Sequence, residues 1–193
     1  GFEAKALGGV EFTDGGNASY RGAAMVNVPL GETLAFRASG SYRKQGGYID
    51  SIGTAGSNVR SNINDFESYS GRASLLWKPD ASLSVRLGAL FQNLYVDAPS
   101  IVEADPATLK PLYDELTQSE YLPTFSNVKY RLYNGTIDYD FGGVTLTSAT
   151  SYGEQLQSFR ADYTANLSAA LGGPYVYFDQ LTENHKWTQE LRL

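Results

Sequence analysis

Residues 33–43 alternate strictly between two kinds of side chain, and this period of two constrains the fold more than any other feature of the sequence. Apolar, aromatic or small residues take one set of positions, and the other set is rich in arginine and serine. Such a period predicts a β-strand with two different environments. A tight turn at 29–32 precedes the strand, and the polar run 51–64, which fits neither strand nor helix, follows it.

The same alternation returns along the chain and predicts eight antiparallel strands. Tight turns and long loops alternate between the last seven of them. These connections centre on Pro29, Asn58, Pro79, Pro111, Gly142 and Ala169. Short periplasmic turns at one end and long extracellular loops at the other are typical of outer-membrane barrels. The sequence therefore predicts an all-β fold, an antiparallel up-and-down transmembrane β-barrel of which about eight strands are present.

Alternation alone also fits a soluble antiparallel sheet that covers a core with one face. The residue types favour an apolar face that contacts lipid, because aromatic residues fall near the strand ends while Ala and Gly fill the middle. These aromatic residues are Tyr20, Trp77, Tyr139 and Phe141. The core of a soluble protein would instead contain large, branched apolar side chains along the whole strand. Two alternatives stay open: a complete small eight-stranded outer-membrane barrel with a structural or adhesion role, and a soluble β-sandwich binding module.

Composition narrows the possible partners. Lys and Arg number 15 against 21 Asp and Glu, so a net charge of -6 argues against nucleic acid. No apolar run approaches the roughly 20 residues of a membrane helix. The sequence starts at Gly1 without a leader pattern and stops inside a strand pattern, so we expect residues 1–193 to be an internal piece of one barrel domain.

Charged residues in the middle of the predicted strands are the candidate functional residues. Arginine on a lipid face costs about 2–4 kcal/mol at the bilayer midplane, so mid-strand arginines are expected inside the barrel. A salt-bridge network in the lumen is favoured over direct substrate contact. The predicted lumen-facing residues are Arg37, Arg72, Arg86, Asp138, Asp140 and Glu190.

Catalytic and metal-binding patterns are missing from the sequence. His185 is the only histidine, nothing of metal-ligand spacing surrounds it, and we expect it at a strand end. The Gly-x-Ser-x-Gly pattern of nucleophile elbows is absent. We therefore predict that the chain is not an enzyme and that it holds no cofactor or metal.

Three segments resemble the barrel domain of TonB-dependent receptors: VNVPLGETLAFRASGSYRKQGGYIDS (26–51), SGRASLLWKPDASLSVRLGALFQ (70–92) and KWTQELRL (186–193). The resemblance extends over most of 2–193 and is weakest in the long loops. It implies a barrel of about 22 strands, closed by an N-terminal plug and opened by the TonB complex. The plug, the TonB-contacting box and the other strands are not in this sequence, so no residue is assigned to energy coupling.

The resemblance also implies a function. Such a receptor, in the outer membrane of a Gram-negative bacterium, imports a scarce nutrient such as a ferric siderophore, cobalamin or an oligosaccharide. Its partners would be outer-membrane lipid, a small-molecule ligand and, through the missing N-terminal region, the TonB complex. We expect ligand contacts in the loops 46–64, 97–127 and 162–174, and a helical turn within 108–116.

Overall fold

A computed structural model describes residues 1–53 and 57–193 of the chain. Eight long antiparallel strands form one sheet in which each strand pairs with its predecessor in the meander, and this confirms the predicted all-β, up-and-down fold. In chain order the elements are β1 (Glu3–Glu11), β2 (Ser19–Pro29), β3 (Leu34–Gln45), β4 (Asp50–Ser51), β5 (Phe66–Trp77), β6 (Leu83–Val96), β7 (Thr117–Gln118), β8 (Phe125–Asp140), β9 (Thr145–Asp162), α1 (Thr164–Leu171) and β10 (Tyr177–Arg192). The short strands β4 and β7 pair in parallel, apart from the large sheet.

The connections are sorted as the sequence predicts. Segments 30–33, 78–82 and 141–144 are short and lie at one end of the sheet. Segments 12–18, 46–65, 97–124 and 163–176 lie at the other end, and the last three are long. Residues 54–56 of the predicted ligand loop 46–64 lie outside the described residues.

The expected helical turn within 108–116 is wrong. A carboxylate oxygen of Asp105 accepts hydrogen bonds from the backbone N–H of Ala107 and of Thr108, at 3.0 and 2.7 Å. Ala104 then pairs with Pro111 as an isolated bridge. The Asp105 carbonyl accepts one i→i+4 hydrogen bond, from the Leu109 N–H at 2.8 Å, but Leu109 has a left-handed φ of 56°. The chain therefore turns back after a single turn instead of continuing as a helix.

The helix lies in the third long loop instead, as α1. It ends at Gly172, whose φ of 72° is left-handed and whose N–H donates to the Ser168 carbonyl, which is a common way to stop a helix. The position of His185 also differs from the expectation, since it lies well inside β10 rather than at a strand end.

The large sheet has no hydrophobic core of its own among the described residues. The buried apolar residues are Ile49, Ile63 and Ala98, and all three lie in the long loops. On the sheet, large apolar side chains stay open, with Leu87 51% and Ile137 47% exposed. No helix in the described part of the chain is long and apolar enough to cross a membrane.

Candidate functional site

The sheet has two chemically different faces. On β5, Ser70, Arg72 and Ser74 point to one side, and Tyr69, Gly71 and Ala73 point to the other. Residues paired directly across two strands point to the same side, so the strand register extends both faces over all eight strands. We call the side of Arg72 the polar face and the side of Ala73 the apolar face.

All six predicted charged residues lie on the polar face. Arg37 is opposite Ser74, and Arg72 is opposite Ser39. A single row of paired residues then runs from Arg86 across three strands. It consists of Arg86, Thr136, Ala149 and Glu190.

The six residues do not form the expected ion-pair network with one another within the described residues. The Asp138 carboxylate accepts from the Thr147 hydroxyl at 2.8 Å, and Glu190 pairs with Arg192 at 3.0 Å. The distance along the sheet explains this. Arg86 and Glu190 are three strand spacings apart, which is about 14 Å and too far for direct contact.

Two further arginines of the polar face are not among the predicted lumen-facing residues. Arg21 on β2 lies directly opposite Arg43 on β3, near the long-loop end of the strands. Arg43 donates to the Gln45 side chain at 3.1 Å and lies 5.8 Å from the Phe66 ring centroid. Alternation places each arginine on the polar face, but only the register shows that the two like charges are adjacent.

A trough of about 890 Å³ crosses the polar face from β1 to β6. Lys5, Arg37, Arg72 and small serine side chains line it, together with apolar side chains that include Leu7, Met25 and Leu90. Lys5 pairs with Glu3 at 2.6 Å, whereas neither arginine forms a close salt bridge among the described residues. A surface with guanidinium and hydroxyl donors can bind ligands that carry hydrogen-bond acceptors.

The long loops 46–65 and 97–124 pack against each other, and we call them the loop layer. The Asn64 side-chain oxygen accepts from the backbone N–H of Tyr48 at 2.7 Å and of Ile49 at 2.9 Å. Its amide nitrogen donates across to the Ser100 hydroxyl at 2.9 Å. One buried side chain thus holds two loops together, so the loop layer is a defined structure above the strand ends.

An acidic side chain connects the loop layer to the end of β9. The Asp162 carboxylate accepts from the backbone N–H of Tyr121 at 2.6 Å and of Leu122 at 2.9 Å. Burial raises the pKa of Glu120, and the nearby carboxylates of Asp162 and Glu103 raise it further, although a hydrogen bond from Thr124 opposes them. This connection therefore depends on acidic groups.

Near the loop end of the apolar face, each strand from β2 to β10 in the large sheet carries at least one aromatic side chain. Three strands carry a second one closer to the loops, namely Tyr95, Phe125 and Tyr177. Taking on each of these three strands the aromatic farther from the loops gives one residue per strand. We call these seven residues the aromatic belt: Tyr20, Tyr42, Tyr69, Phe91, Tyr133, Tyr152 and Trp187. On six strands the next residue of this face toward the loops is polar. These six are Lys44, Glu67, Asn93, Arg131, Glu154 and His185. The side chains therefore become more polar beyond the belt, although apolar ones such as Tyr95 and Leu156 continue toward the loops.

The belt runs obliquely to the strands. The row that starts at Tyr20 reaches Leu181 on β10, but the aromatic residue there is Trp187, six residues closer to the short turns. Six residues are about 20 Å along a strand, and the six strand spacings between the two aromatics are about 29 Å. The belt lies in a plane parallel to the membrane if the strands are tilted by about 35° from the membrane normal. The strands of membrane barrels are tilted by about 35–45°.

Within 1–53 and 57–193, no group of three or more His, Asp or Glu side chains is arranged to hold a metal ion. His185 contacts the Tyr152 hydroxyl at 3.0 Å and the Glu183 carboxylate at 2.9 Å, and these two partners account for both of its ring nitrogens.

The comparison with family models found no match, and neither did the comparison with curated protein sequences. Among solved structures, the chain is similar to a crystal structure of a mutant of the ferric enterobactin receptor PfeA from Pseudomonas aeruginosa. The TM-score is 0.60 at 15% sequence identity, over 97% of this chain and 27% of that one. The chain therefore spans about a quarter of the length of that receptor, and its sheet is similar to the barrel of an outer-membrane receptor.

Proposed function

We propose that the chain is part of the barrel wall of a TonB-dependent outer-membrane transporter. In this proposal the apolar face contacts lipid, the polar face lines the lumen and the loop layer lies outside the cell. The resemblance of the strand segments and the similarity to an outer-membrane receptor fold support this assignment.

The aromatic belt is the observation that carries the proposal. A bare apolar face could be covered by lipid or by protein, but a protein partner has no reason to match a tilted plane across seven strands. Aromatic girdles at both interfaces are a property of membrane barrels. On β5, Tyr69 and Trp77 are eight residues apart, about 26 Å along the strand and about 22 Å after correction for tilt. The apolar band of a membrane barrel is about 25 Å tall.

The free strand edges favour a piece of a larger barrel over a complete eight-stranded one. A small closed barrel pairs its first strand with its last. In the described residues, β1 pairs with β2 and β10 pairs with β9, and no register joins β1 to β10. Further strands would complete the wall.

A small-molecule ligand is the proposed cargo. It would be captured by the loop layer and pass along the trough of the polar face, where Lys5, Arg37 and Arg72 supply hydrogen-bond donors among apolar side chains. The similar structure is named as a ferric enterobactin receptor. A ferric siderophore is therefore the first ligand class to test for this chain.

Cysteine accessibility in cells tests the membrane placement, since the chain has no cysteine of its own. We would introduce Ala73→Cys on the apolar face and Ser61→Cys in the loop layer, in the intact parent protein, and add a membrane-impermeant maleimide. We expect labelling of the loop variant alone. Labelling of Ala73→Cys in intact cells would contradict the lipid-facing assignment.

Uptake tests the transport function separately. Cells with the intact parent gene should accumulate radioiron from labelled ferric enterobactin, and a protonophore should abolish the accumulation. If the parent protein gives the expected cysteine labelling but shows no energy-dependent uptake, ferric enterobactin is not its ligand. The proposal that the chain forms part of a barrel wall would not be affected.

A further inference from the structure

Three neighbouring residues of the loop layer each bury a polar atom that lacks a hydrogen-bond partner within the described residues. The atoms are Oγ of Ser51, Nη2 of Arg60 and Nε2 of Gln118. Ser51 and Gln118 are each only 2% exposed. Buried polar atoms almost always have a partner, so three unpaired ones on adjacent residues require an explanation.

The three side chains share one face of a small sheet. Ser51 pairs with Gln118 where β4 meets β7, and on its other side it forms a bridge with Arg60. The bridge has two backbone hydrogen bonds, of 2.8 Å from Ser51 N–H and 3.0 Å from Arg60 N–H. Paired residues point to the same side and lie about 5 Å apart. All three side chains therefore leave the backbone on the same side of this small sheet, beside Ser51.

The remaining polar atoms of these side chains are already held. Gln118 accepts a hydrogen bond at its Oε1 from the Glu120 N–H, at 2.8 Å. Arg60 donates through Nε to the Asn58 side chain at 3.0 Å and through Nη1 to the Asp97 carboxylate at 3.3 Å. These contacts fix both side chains, so their unpaired atoms are not free to turn toward other partners.

The chemistry of the three atoms selects the group that fits. The Arg60 and Gln118 nitrogens only donate hydrogen bonds, whereas the Ser51 hydroxyl donates or accepts. Asp97 already balances the charge of Arg60, so the site does not call for a full anion. An oxygen that accepts two hydrogen bonds and donates one is a hydroxyl-type oxygen, and buried waters typically make about three hydrogen bonds.

We propose that Ser51, Arg60 and Gln118 form a buried binding site for one uncharged hydroxyl-type oxygen. In the closed loop layer this oxygen belongs to an internal water molecule. The water joins loop 46–65 to loop 97–124 by hydrogen bonds to both, beside the direct bonds made by Asn64. The site does not depend on what the transporter carries.

A crystal structure of the intact parent protein, grown without polyols and with bromide in place of chloride, tests the occupant. We expect a single water within hydrogen-bond distance of all three side chains and no anomalous bromide signal. An empty site would overturn the proposal, and so would a bromide ion in it.

The sign of a stability change gives a second test. If water fills the site, Ser51→Ala removes a hydrogen bond, and the Arg60 amide should exchange hydrogen about two- to tenfold faster. If the site is empty, the same substitution removes an unsatisfied polar atom, and exchange should slow. Ser61→Ala, an exposed serine of the same loop, is the matched control and should leave exchange unchanged.

A double variant shows whether the residues act through one shared group. Arg60→Lys keeps a positive charge for Asp97 but lacks the planar fork that supplies Nη2. With a shared water, the effects of Ser51→Ala and Arg60→Lys on exchange of the Ile52 amide should be less than additive. Strict additivity would contradict a common occupant.

Discussion

Placing an arginine at Ala73 tests the sidedness of the sheet. Ala73 lies on the apolar face of β5, four residues from Tyr69 and four from Trp77. Each aromatic is about 13 Å away along the strand, so Ala73 is at the centre of the apolar band. Arginine at the bilayer midplane of a barrel costs about 2–4 kcal/mol, and we expect Ala73→Arg to lower the free energy of unfolding by that amount.

Steric overlap does not explain such a loss. Ala73 pairs with Ala38 and Ala89, and a depression of about 320 Å³ lies over the three alanines. A long side chain has room there. The expected cost is therefore the transfer of a guanidinium from water into lipid, reduced by whatever snorkelling the side chain achieves.

Ala149→Arg is the matched control, because it makes the same chemical change at mid-strand on the polar face. Ala149 lies directly opposite Glu190, so a new guanidinium would meet a carboxylate. We expect a change within about 0.5 kcal/mol. The assay is equilibrium urea unfolding of the intact parent protein in lipid vesicles, with an unchanged slope m as the condition for comparing variants.

Equal losses for the two variants, or a loss below about 1 kcal/mol for Ala73→Arg, would refute the assignment of the faces. Ala73→Arg would also lower the stability if another protein covered the apolar face. A separate measurement must therefore show whether the face contacts lipid. A bimane dye on Ala73→Cys should be quenched by brominated lipid, and the same dye on Ala149→Cys should not.

Three further substitutions probe the loop layer and the polar face. Asn64→Ala should lower the local opening free energy at the Ile49 amide by about 2–4 kcal/mol, because two buried N–H groups lose their acceptor, while Asn64→Asp should retain most of it; hydrogen exchange measures both. Because burial raises the pKa of Glu120, the closed loop layer should be most stable below the ordinary glutamate pKa and should lose that stability as pH rises through the raised value. Glu120→Gln should flatten this dependence in loop protection factors. Ligand uptake should fall when Arg37, Arg72 and Arg86 on the polar face are all replaced by alanine. If uptake and stability are both unchanged, these arginines neither contact the ligand nor stabilise the barrel.

The strands and the sorting of their connections were accessible from the sequence because both follow from local patterns. A period of two can be recognised from neighbouring residues alone, as at 33–43. A tight turn can be recognised from turn-forming residues such as Pro79 and Asp80. The Asp80 carboxylate indeed accepts from the N–H groups of Ser82 and Leu83, at 2.8 and 3.0 Å.

Features that depend on register were not accessible. The adjacency of Arg21 and Arg43, and the oblique course of the aromatic belt, each require the pairing of strands whose offset is set by the connections between them. The loop layer was also hidden, because Ser51, Arg60 and Gln118 come from segments without periodicity. Helix α1 went unnoticed for a simpler reason: it is only 8 residues long, too short to show a helical period.

The glycines at the end of β3 limit how this protein can diverge during evolution. A Cβ atom at Gly46 would overlap the backbone of Asn17, and one at Gly47 would overlap that of Asn62. Three backbone segments from two loops cross at this point with no space for a side chain. Mutations elsewhere in the loops can alter what they recognise, but substitutions at this crossing would displace the loops themselves. We therefore expect relatives with different ligands to vary around Gly46 and Gly47 and to keep both.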